Sequence, residues 1–405
     1  MTQIHAYSRG LVSDNAMHEP LKFAAELSAK LATRSRHVCV FLGAGASRAC
    51  GLPDIAQLQE RVFKGLAPLE QARLKNLTSG RNLEEALSRL RRIAALVTGE
   101  QTVDGLTAVQ AKELDGAVCQ GIVTELDIGK ADTAPAVRLA AWARRAGYRL
   151  PIELFTVNYD LLLETALEGL GVPYFDGFVG NLRARFQTDL VENTPGSEES
   201  VPAFFVRLWK LHGSVNWAWE DERQIVRLGQ PVAKGLAAAI YPSDSKYEES
   251  RRVPFVVLQD RFRRALHQPE TLVIIAGYSF GDAHLNEMIF DAAARRERSE
   301  FAAFCYAEIP EVLAVRALNT PNLQVVNGRE AILGGLRGKW KVPDQAPADV
   351  WENGELALRD FSRLARYLAR SVAQDTTAET ALRELLERKV VEADNKAGSS
   401  GNAAG

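Results

Sequence analysis

The sequence predicts an α/β fold, a Rossmann-like parallel sheet with helices on both faces, on three observations. Short apolar, β-favouring runs at residues 37–42 (HVCVFL), 152–156 (IELFT), 204–211 (FFVRLWKL) and 271–276 (TLVIIA) have the pattern of strands buried on both faces. Stretches of helical spacing separate them, and alternating strand and helix implies a parallel sheet. Each run ends in a polar or glycine cluster: Gly43-Ala44-Gly45-Ala46-Ser47, Asn158-Tyr159-Asp160, His212-Gly213-Ser214 and Gly277-Tyr278-Ser279. The carboxyl ends of parallel strands share one edge, where ligands bind, so all four clusters are expected at one cleft.

Taken in order, the first element is a helix after Pro20, a residue suited to a first turn, with Leu21, Ala24, Ala25 and Leu31 on its apolar face and Ser28 beside them. The first strand and its glycine loop follow. Between about 54 and 147 the chain is rich in Ala, Leu, Arg and Glu, and Leu83, Ala86, Leu87, Leu90 and Ile93 recur at helical spacing, which predicts an inserted helical block. A further strand is expected at 301–306. Residues 176–203 are polar and glycine-containing, the pattern of a long connection or small subdomain. Leu356, Leu358, Phe361, Leu364 and Leu368 mark a late amphipathic helix that packs on the core. The tail from Ala393 (ADNKAGSSGNAAG) is low-complexity and expected to be disordered. The predicted organisation is a main domain over 1–345, a helical region over 346–392 and a tail over 393–405.

Composition narrows the function classes. The chain has 405 residues, 46% of them hydrophobic and 25% charged, with 49 Lys+Arg against 51 Asp+Glu and a net charge of −2. Such a balance argues against wrapping nucleic acid directly, because that affinity comes from clustered Lys and Arg. The runs Arg89, Arg91, Arg92 and Arg295, Arg296, Arg298 sit in charge-alternating stretches and read as solvated helix faces. Cys39, Cys50, Cys119 and Cys305 form no CxxC pair and no metal-ligand spacing, which predicts buried reduced thiols and no metal. No secretion signal is visible, and no apolar run approaches the roughly 20 residues that span a bilayer, so a cytoplasmic location is expected.

The glycine loop at 43–47 invites comparison with known phosphate cradles. It opens like a dinucleotide fingerprint, but Arg48 stands where the third glycine belongs and a helical block follows in place of a second strand with an acidic end. It is not a P-loop, since no Gly-Lys-Ser/Thr follows. Asn158 either caps the helix beginning near Asp160 or presents its amide to a ligand. His212 is either a satisfied strand-end histidine or a general base, and the glycine after it favours the second.

Together these residues resemble the sirtuin family. Gly43-Ala44-Gly45-Ala46-Ser47 with Gly51-Leu52-Pro53-Asp54 is similar to the sirtuin GAG-x-S…G-I-P-D segment. Thr156-Val157-Asn158-Tyr159-Asp160 resembles T-Q-N-x-D, Leu211-His212-Gly213 resembles L-H-G, and Gly277-Tyr278-Ser279 resembles a later G-T/S-S segment. The order matches and the resemblance spans roughly residues 37–330. It implies an NAD-binding catalytic domain that cleaves the nicotinamide–ribose bond, with NAD+ as substrate. Gly43, Ala44, Gly45 and Ser47 would line the pyrophosphate and ribose, and Asp54 would lie near the nicotinamide. Asn158 and Asp160 would face the reacting ribose, His212 would be the catalytic base, and Gly277 and Ser279 would hold the adenosine side.

Departures from the family sharpen the expectation. A deacylating sirtuin carries two CxxC pairs for zinc after its His-Gly, whereas here only Cys305 follows Gly213, and Ile55-Ala56 stands in place of Phe-Arg. The run Gly277-Tyr278-Ser279-Phe280-Gly281-Asp282-x-His284-Leu285-Asn286 resembles the sirtuin-like proteins of bacterial antiphage defence, which hydrolyse NAD in abortive infection. This resemblance implies an NAD hydrolase acting as a homo-oligomer, paired with a HerA-type ATPase through which any contact with nucleic acid would run. Activity would be held off until assembly, through the helical block or the late helix. The alternatives are a protein deacylase or ADP-ribosyltransferase using the same cleft, and a non-catalytic module that senses NAD or ADP-ribose.

The chemistry can be stated from the residues. Breaking an N-glycosidic bond to a cationic pyridinium releases a neutral group and leaves an oxocarbenium-like ribose, so orientation and electrostatics matter more than a strong acid. An Asn amide holding a water or ribose hydroxyl, a His accepting its proton and an Asp orienting the pair meet that need.

Overall fold

The computed structural model describes residues 16–79, 82–192, 205–220, 224–233, 238–240 and 253–371, so the tail expected from Ala393 lies outside the described residues. The elements begin with β1 (Met17–His18), α1 (Pro20–Ala32), β2 (Val38–Leu42) and α2 (Ala44–Arg48). Helices α3 (Ile55–Gly65), α4 (Pro68–Leu77), α5 (Leu83–Leu96), α6 (Ala108–Glu125) and α7 (Ala134–Arg145) precede β3 (Ile152–Thr156) and α8 (Leu162–Gly169). Then come β4 (Tyr174–Phe175), β5 (Phe178–Val179), β6 (Arg183–Phe186), α9 (Thr188–Glu192), β7 (Val206–Lys210), β8 (Gly213–Trp219), β9 (Ile225–Leu228) and β10 (Ala238–Ile240). The last third holds α10 (Phe255–Leu266), β11 (Leu272–Ala276), α11 (Ala283–Arg295), β12 (Glu300–Phe304), α12 (Glu311–Asn319), β13 (Leu323–Val326), β14 (Glu330–Leu333) and β15 (Leu336–Trp340). A short hairpin, β16 (Trp351–Glu352) with β17 (Glu355–Leu356), leads into α13 (Phe361–Ser371).

These strands build the Rossmann-like sheet the sequence predicts. The order is β1-β15-β14-β13-β12-β11-β2-β3-β7-β4. From β13 to β4 every pairing is parallel, and β14 is antiparallel to both its neighbours. Ala276, Leu42, Thr156 and Lys210, each the last residue of its strand, stand side by side in register. The chain moves outward from β2 through β3 to β7, then returns to the other side of β2 as β11. Strand order therefore reverses between β2 and β11, the switch point where open α/β sheets bind ligands.

Alternation along the strands sorts side chains into two cores. Val38, Val40 and Leu42, with Leu272 and Ile274, face a layer containing α1, α7, α8 and α13. Cys39 and Phe41, with Val273 and Ile275, face α10, α11 and α12. A third core joins α3–α6 to a separate five-stranded antiparallel sheet of order β10-β8-β9-β6-β5. The inserted helical module thus ends at α6, because α7 buries Ala136, Leu139, Ala140 and Trp142 against the main sheet. Helical spacing alone does not separate the two groups, since both are amphipathic. Within the module the expected face of α5, Leu83, Ala86, Leu87, Leu90 and Ile93, is the buried one.

Two local expectations change. On α1 the buried face is Pro20, Phe23, Ala24, Leu27 and Leu31, while Leu21 and Ala25 are exposed: the larger Phe23 sits on the side of the helix that meets the core. The late helix starts only at Phe361; Leu356 and Leu358 precede it but join the same core. The polar stretch at 176–203 contributes β5 and β6 to the second sheet. The arginine runs pair with carboxylates, Arg89 with Asp104 at 2.8 Å, Arg91 with Asp115 at 2.9 Å and Arg295 with Asp291 at 2.6 Å. All four cysteines are buried and unbridged, and burial pushes the Cys50, Cys119 and Cys305 thiols up to about 12. Among the described residues no helix is long and apolar enough to cross a membrane.

Near the other end of the sheet, Glu153 on β3 is wholly buried, accepting from His37 Nε2 at 3.0 Å, Trp209 Nε1 at 2.7 Å and Arg261 Nε at 2.9 Å. Burial pushes its carboxyl up, but the Arg261 charge and the His37 hydrogen bond outweigh that and hold it well below the usual carboxylate range. A carboxyl depressed in the folded state stabilises at pH above its unfolded value and loses that contribution as pH falls toward the folded value. Glu153→Gln should lower unfolding free energy by about 3 kcal/mol at pH 7, since it strips a buried guanidinium of its counter-ion. In urea titrations the deficit should narrow as pH drops below about 4.5, the ordinary carboxyl value; a loss of under about 1 kcal/mol at pH 7 contradicts this account of the network.

Candidate active site at the strand ends

The β2 and β11 loops meet backbone to backbone. Gly43 N donates to Ala276 O at 3.1 Å and Gly45 N to Gly277 O at 2.8 Å. A Cβ at Gly43 would fall 2.6 Å from Gly277 O, one at Gly45 would fall 2.7 Å from Gly277 Cα, and one at Gly277 would fall 2.3 Å from Ala46 N. Gly277 also has φ of 65°, the left-handed region. The glycines are thus required first by each other, a reason different from the approach to a ligand that the sequence suggests. Ala44 is exposed at the loop's outer edge, and Ser47 is buried.

From Ser47 a polar chain runs beneath the β3 loop. Ser47 Oγ donates to Asp160 Oδ2 at 2.5 Å and accepts from Asn158 Nδ2 at 2.8 Å. Asn158 Nδ2 also donates to Gly43 O at 2.9 Å. A carbonyl only accepts, so this contact fixes the amide orientation and leaves the Asn158 carbonyl oxygen as the group available on a half-buried side chain. Asn158 does not cap the next helix; Asp160 Oδ1 accepts from Leu162 N at 3.1 Å instead. Both Asp160 oxygens are therefore engaged by protein, and the carboxylate faces inward. Asn158, Ser47 and Asp160 line a cavity of about 20 Å³, room for about one water, together with Phe361 of α13.

His212 follows β7 as Asn158 follows β3, each two residues beyond the in-register pair Thr156 and Lys210. The imidazole is buried, with Nε2 3.4 Å from Asp282 Oδ2. Asp282 caps α11, its Oδ1 accepting from His284 N at 2.8 Å and Leu285 N at 3.2 Å. Burial works to raise its carboxyl, yet the His212 hydrogen bond and charge and those two amides outweigh it and hold it below its usual value. The loop aiming Asp282 is constrained: Phe280 has φ of 57°, its carbonyl accepts from Asn286 Nδ2 at 2.7 Å, and Tyr278 Oη lies 2.9 Å from Asn286 Oδ1.

The structure thus brings together Gly43, Gly45, Ser47, Asn158, Asp160 and Gly277, with His212 on the neighbouring strand end. Ser279 is exposed on the β11 loop. Asp54 caps α3, its side chain accepting from Gln57 N at 3.0 Å and pairing with Arg48 at 3.3 Å. Asp282 was legible only as part of the Gly277–Asn286 run, and nothing in the sequence says that it faces His212. Lys210, two residues before His212, is only 2% exposed and carries no sequence signal beyond an odd charge in an apolar strand. Tyr159 is buried in the helical module's core, its Oη 3.0 Å from Glu84 Oε1 of α5. Among the described residues no group of three or more His, Cys, Asp or Glu is placed to hold a metal.

A parallel sheet with polar clusters gathered at its switch point defines the class, an α/β protein whose strand ends form the candidate site. Residues 152–325 match the family model of the SIR2-like domain, a span that includes Asn158, Asp160, His212, Gly277 and Ser279 and omits the 43–47 loop and Asp54. Among solved structures, the chain is similar to a Sir2 homologue with a phenylalanine-to-alanine mutation in complex with ADP-ribose. That likeness has 14% identity and a TM-score of 0.41, and covers 86% of this chain and 95% of that one. It is also similar to a Sir2 homologue with a histidine-to-asparagine mutation, again with ADP-ribose, at 15% identity, TM-score 0.39 and the same coverage. Similarity this low transfers no residue role. No curated protein matches the chain.

The glycine seam yields a paired prediction. Gly277→Ala incurs left-handed strain and a backbone clash, whereas Gly51→Ala, at φ of 86° with nothing within 4 Å of the new Cβ, incurs only strain. Gly51→Ala should cost about 1 kcal/mol in chemical denaturation and Gly277→Ala at least about 3 kcal/mol. Equal losses contradict the seam.

Proposed function

We propose that the chain hydrolyses NAD+ at the nicotinamide–ribose bond, giving nicotinamide and ADP-ribose. The observation that carries this reading is the pairing of two oriented groups at adjacent strand ends: the Asn158 carbonyl oxygen, fixed through Gly43 and Ser47, and His212, backed by Asp282. The SIR2-like match over residues 152–325 supports it. NAD+ fits an observation of this site, since the free acceptor of Asn158 suits a ribose hydroxyl or a water, both of which donate.

The residues divide the work. Nicotinamide leaves as a neutral base with the electrons of the C–N bond, so positive charge develops on the ribose and no general acid is needed. Asn158 accepts a hydrogen bond from the attacking water or the neighbouring hydroxyl and orients it. His212 takes the proton lost as the new C–O bond forms and releases it to solvent, while Asp282 holds the ring and stabilises the imidazolium. Asp160 acts through Ser47 and Asn158 as a positioning residue. Gly43, Ala44, Gly45 and Ser47 are the residues to receive the diphosphate, Gly277 and Ser279 the adenosine side, and Asp54 the residue for the nicotinamide side.

We further propose the biological setting implied by the sequence: NAD depletion in antiphage defence, as a homo-oligomer whose activity is released by a HerA-type ATPase partner. The absence of paired CxxC motifs after Gly213 favours hydrolysis over zinc-module deacylation.

Purified protein incubated with NAD+, alone and with such a partner, should release nicotinamide under at least one condition; none under either refutes the reading. Asn158→Ala and His212→Ala should each reduce turnover at least about 100-fold with little loss of stability. Asp282→Asn should lower kcat about tenfold or more while KM changes little, since an amide can keep the ring contact but not the charge. Full activity in any of these variants removes that residue from the mechanism.

A further inference from the structure

The strands around His212 grip the residue next to Asn158. The Tyr159 carbonyl accepts from Val215 N at 2.9 Å, Ser214 Oγ at 3.2 Å and Lys210 Nζ at 3.3 Å, three donors that bracket His212 in sequence. Lys210 Nζ also donates to the Asp160 carbonyl and to Glu164 Oε1 at 2.9 Å. An ammonium has three protons, and here each meets an oxygen. Glu164 is buried too, and burial raises its carboxyl above the usual value against the pull of Lys210.

Stability alone does not account for this arrangement. Removing an ammonium and a carboxylate from water costs several kcal/mol each, and apolar side chains of similar size often serve a core equally well. What Lys210 supplies that an apolar residue cannot is a fixed point for two consecutive carbonyls in an irregular turn. Those carbonyls belong to the residues directly after Asn158, and the lysine's own strand ends two residues before His212.

We infer that Lys210 is a positioning residue for the two reacting side chains: with Glu164 as its counter-ion, it sets the separation of the Asn158 turn from His212. This inference rests on the proposed NAD hydrolysis for its kinetic consequence, but its structural core is independent of it. A misplacement of about 1 Å between reacting groups can cost about 100-fold in rate.

The experiment compares the wild-type chain with Lys210→Met/Glu164→Gln, which removes both charges together and leaves neither stranded. The double variant should fold with a melting temperature within a few degrees of wild type. Its kcat for nicotinamide release should fall about 100-fold while KM stays within threefold. Retained kcat in a folded variant overturns the proposal. If this pair does not fold, Lys210→Met/Glu164→Leu fills the same space with apolar atoms and is read identically. Amide hydrogen exchange gives a readout without turnover: amides at 157–162 should exchange at least about tenfold faster in the variant, with β3 and β7 unchanged. Unaltered exchange there also overturns the proposal, whereas absence of nicotinamide from the wild type counts only against the NAD reading.

Discussion

Where β2 and β11 end, two loops approach until their backbones touch, and the arrangement of the site follows from that contact. Gly43, Gly45 and Gly277 leave no room for a Cβ, so the first loop turns at once into α2 with Ser47 buried beneath it. The Gly43 carbonyl then becomes the acceptor that orients Asn158, and Ser47 becomes the relay between Asn158 and Asp160. A side chain at any of the three glycines would force the loops apart, and the polar chain would lose its first link. The seam also lies at the switch point of the sheet, so one contact serves both packing and site construction.

The second organising feature is register. Parallel strands ending in line place whatever follows them at one edge, and here the positions two residues past Thr156 and Lys210 carry Asn158 and His212. Support comes from outside the sheet as well. Asp282 reaches His212 from the N-terminus of α11, and Tyr159 anchors the Asn158 turn in the core of the inserted helices through Glu84. Phe361 of α13 lines the same cavity as Ser47, Asn158 and Asp160. The inserted module and the late helix therefore both reach the residues around Asn158.

How much of this the sequence displays depends on the range of the interaction. Continuous apolar runs at 37–42, 152–156 and 271–276 announce their strands because burial on both faces leaves a local signature. The clusters after them announce a shared cleft because parallel topology puts strand ends together. The pairing of Asp282 with His212 joins positions seventy residues apart, and its geometry depends on the left-handed Phe280, which no local pattern signals. Asp54 illustrates the converse: an Asp three residues before Gln57 is a helix-capping pair legible in the local sequence, and its side chain takes that role. The role of Lys210 is not legible locally, because a charge in an apolar strand shows that something compensates it, not what.

The central claim is that NAD+ lies across the glycine seam with its reacting ribose between Asn158 and His212. A crystal structure of the chain soaked with ADP-ribose tests it most directly. The account predicts the diphosphate against the 43–47 loop and the ribose within hydrogen-bond distance of the Asn158 carbonyl oxygen and the His212 ring. Ligand bound elsewhere, or a ribose out of reach of both side chains, would contradict it.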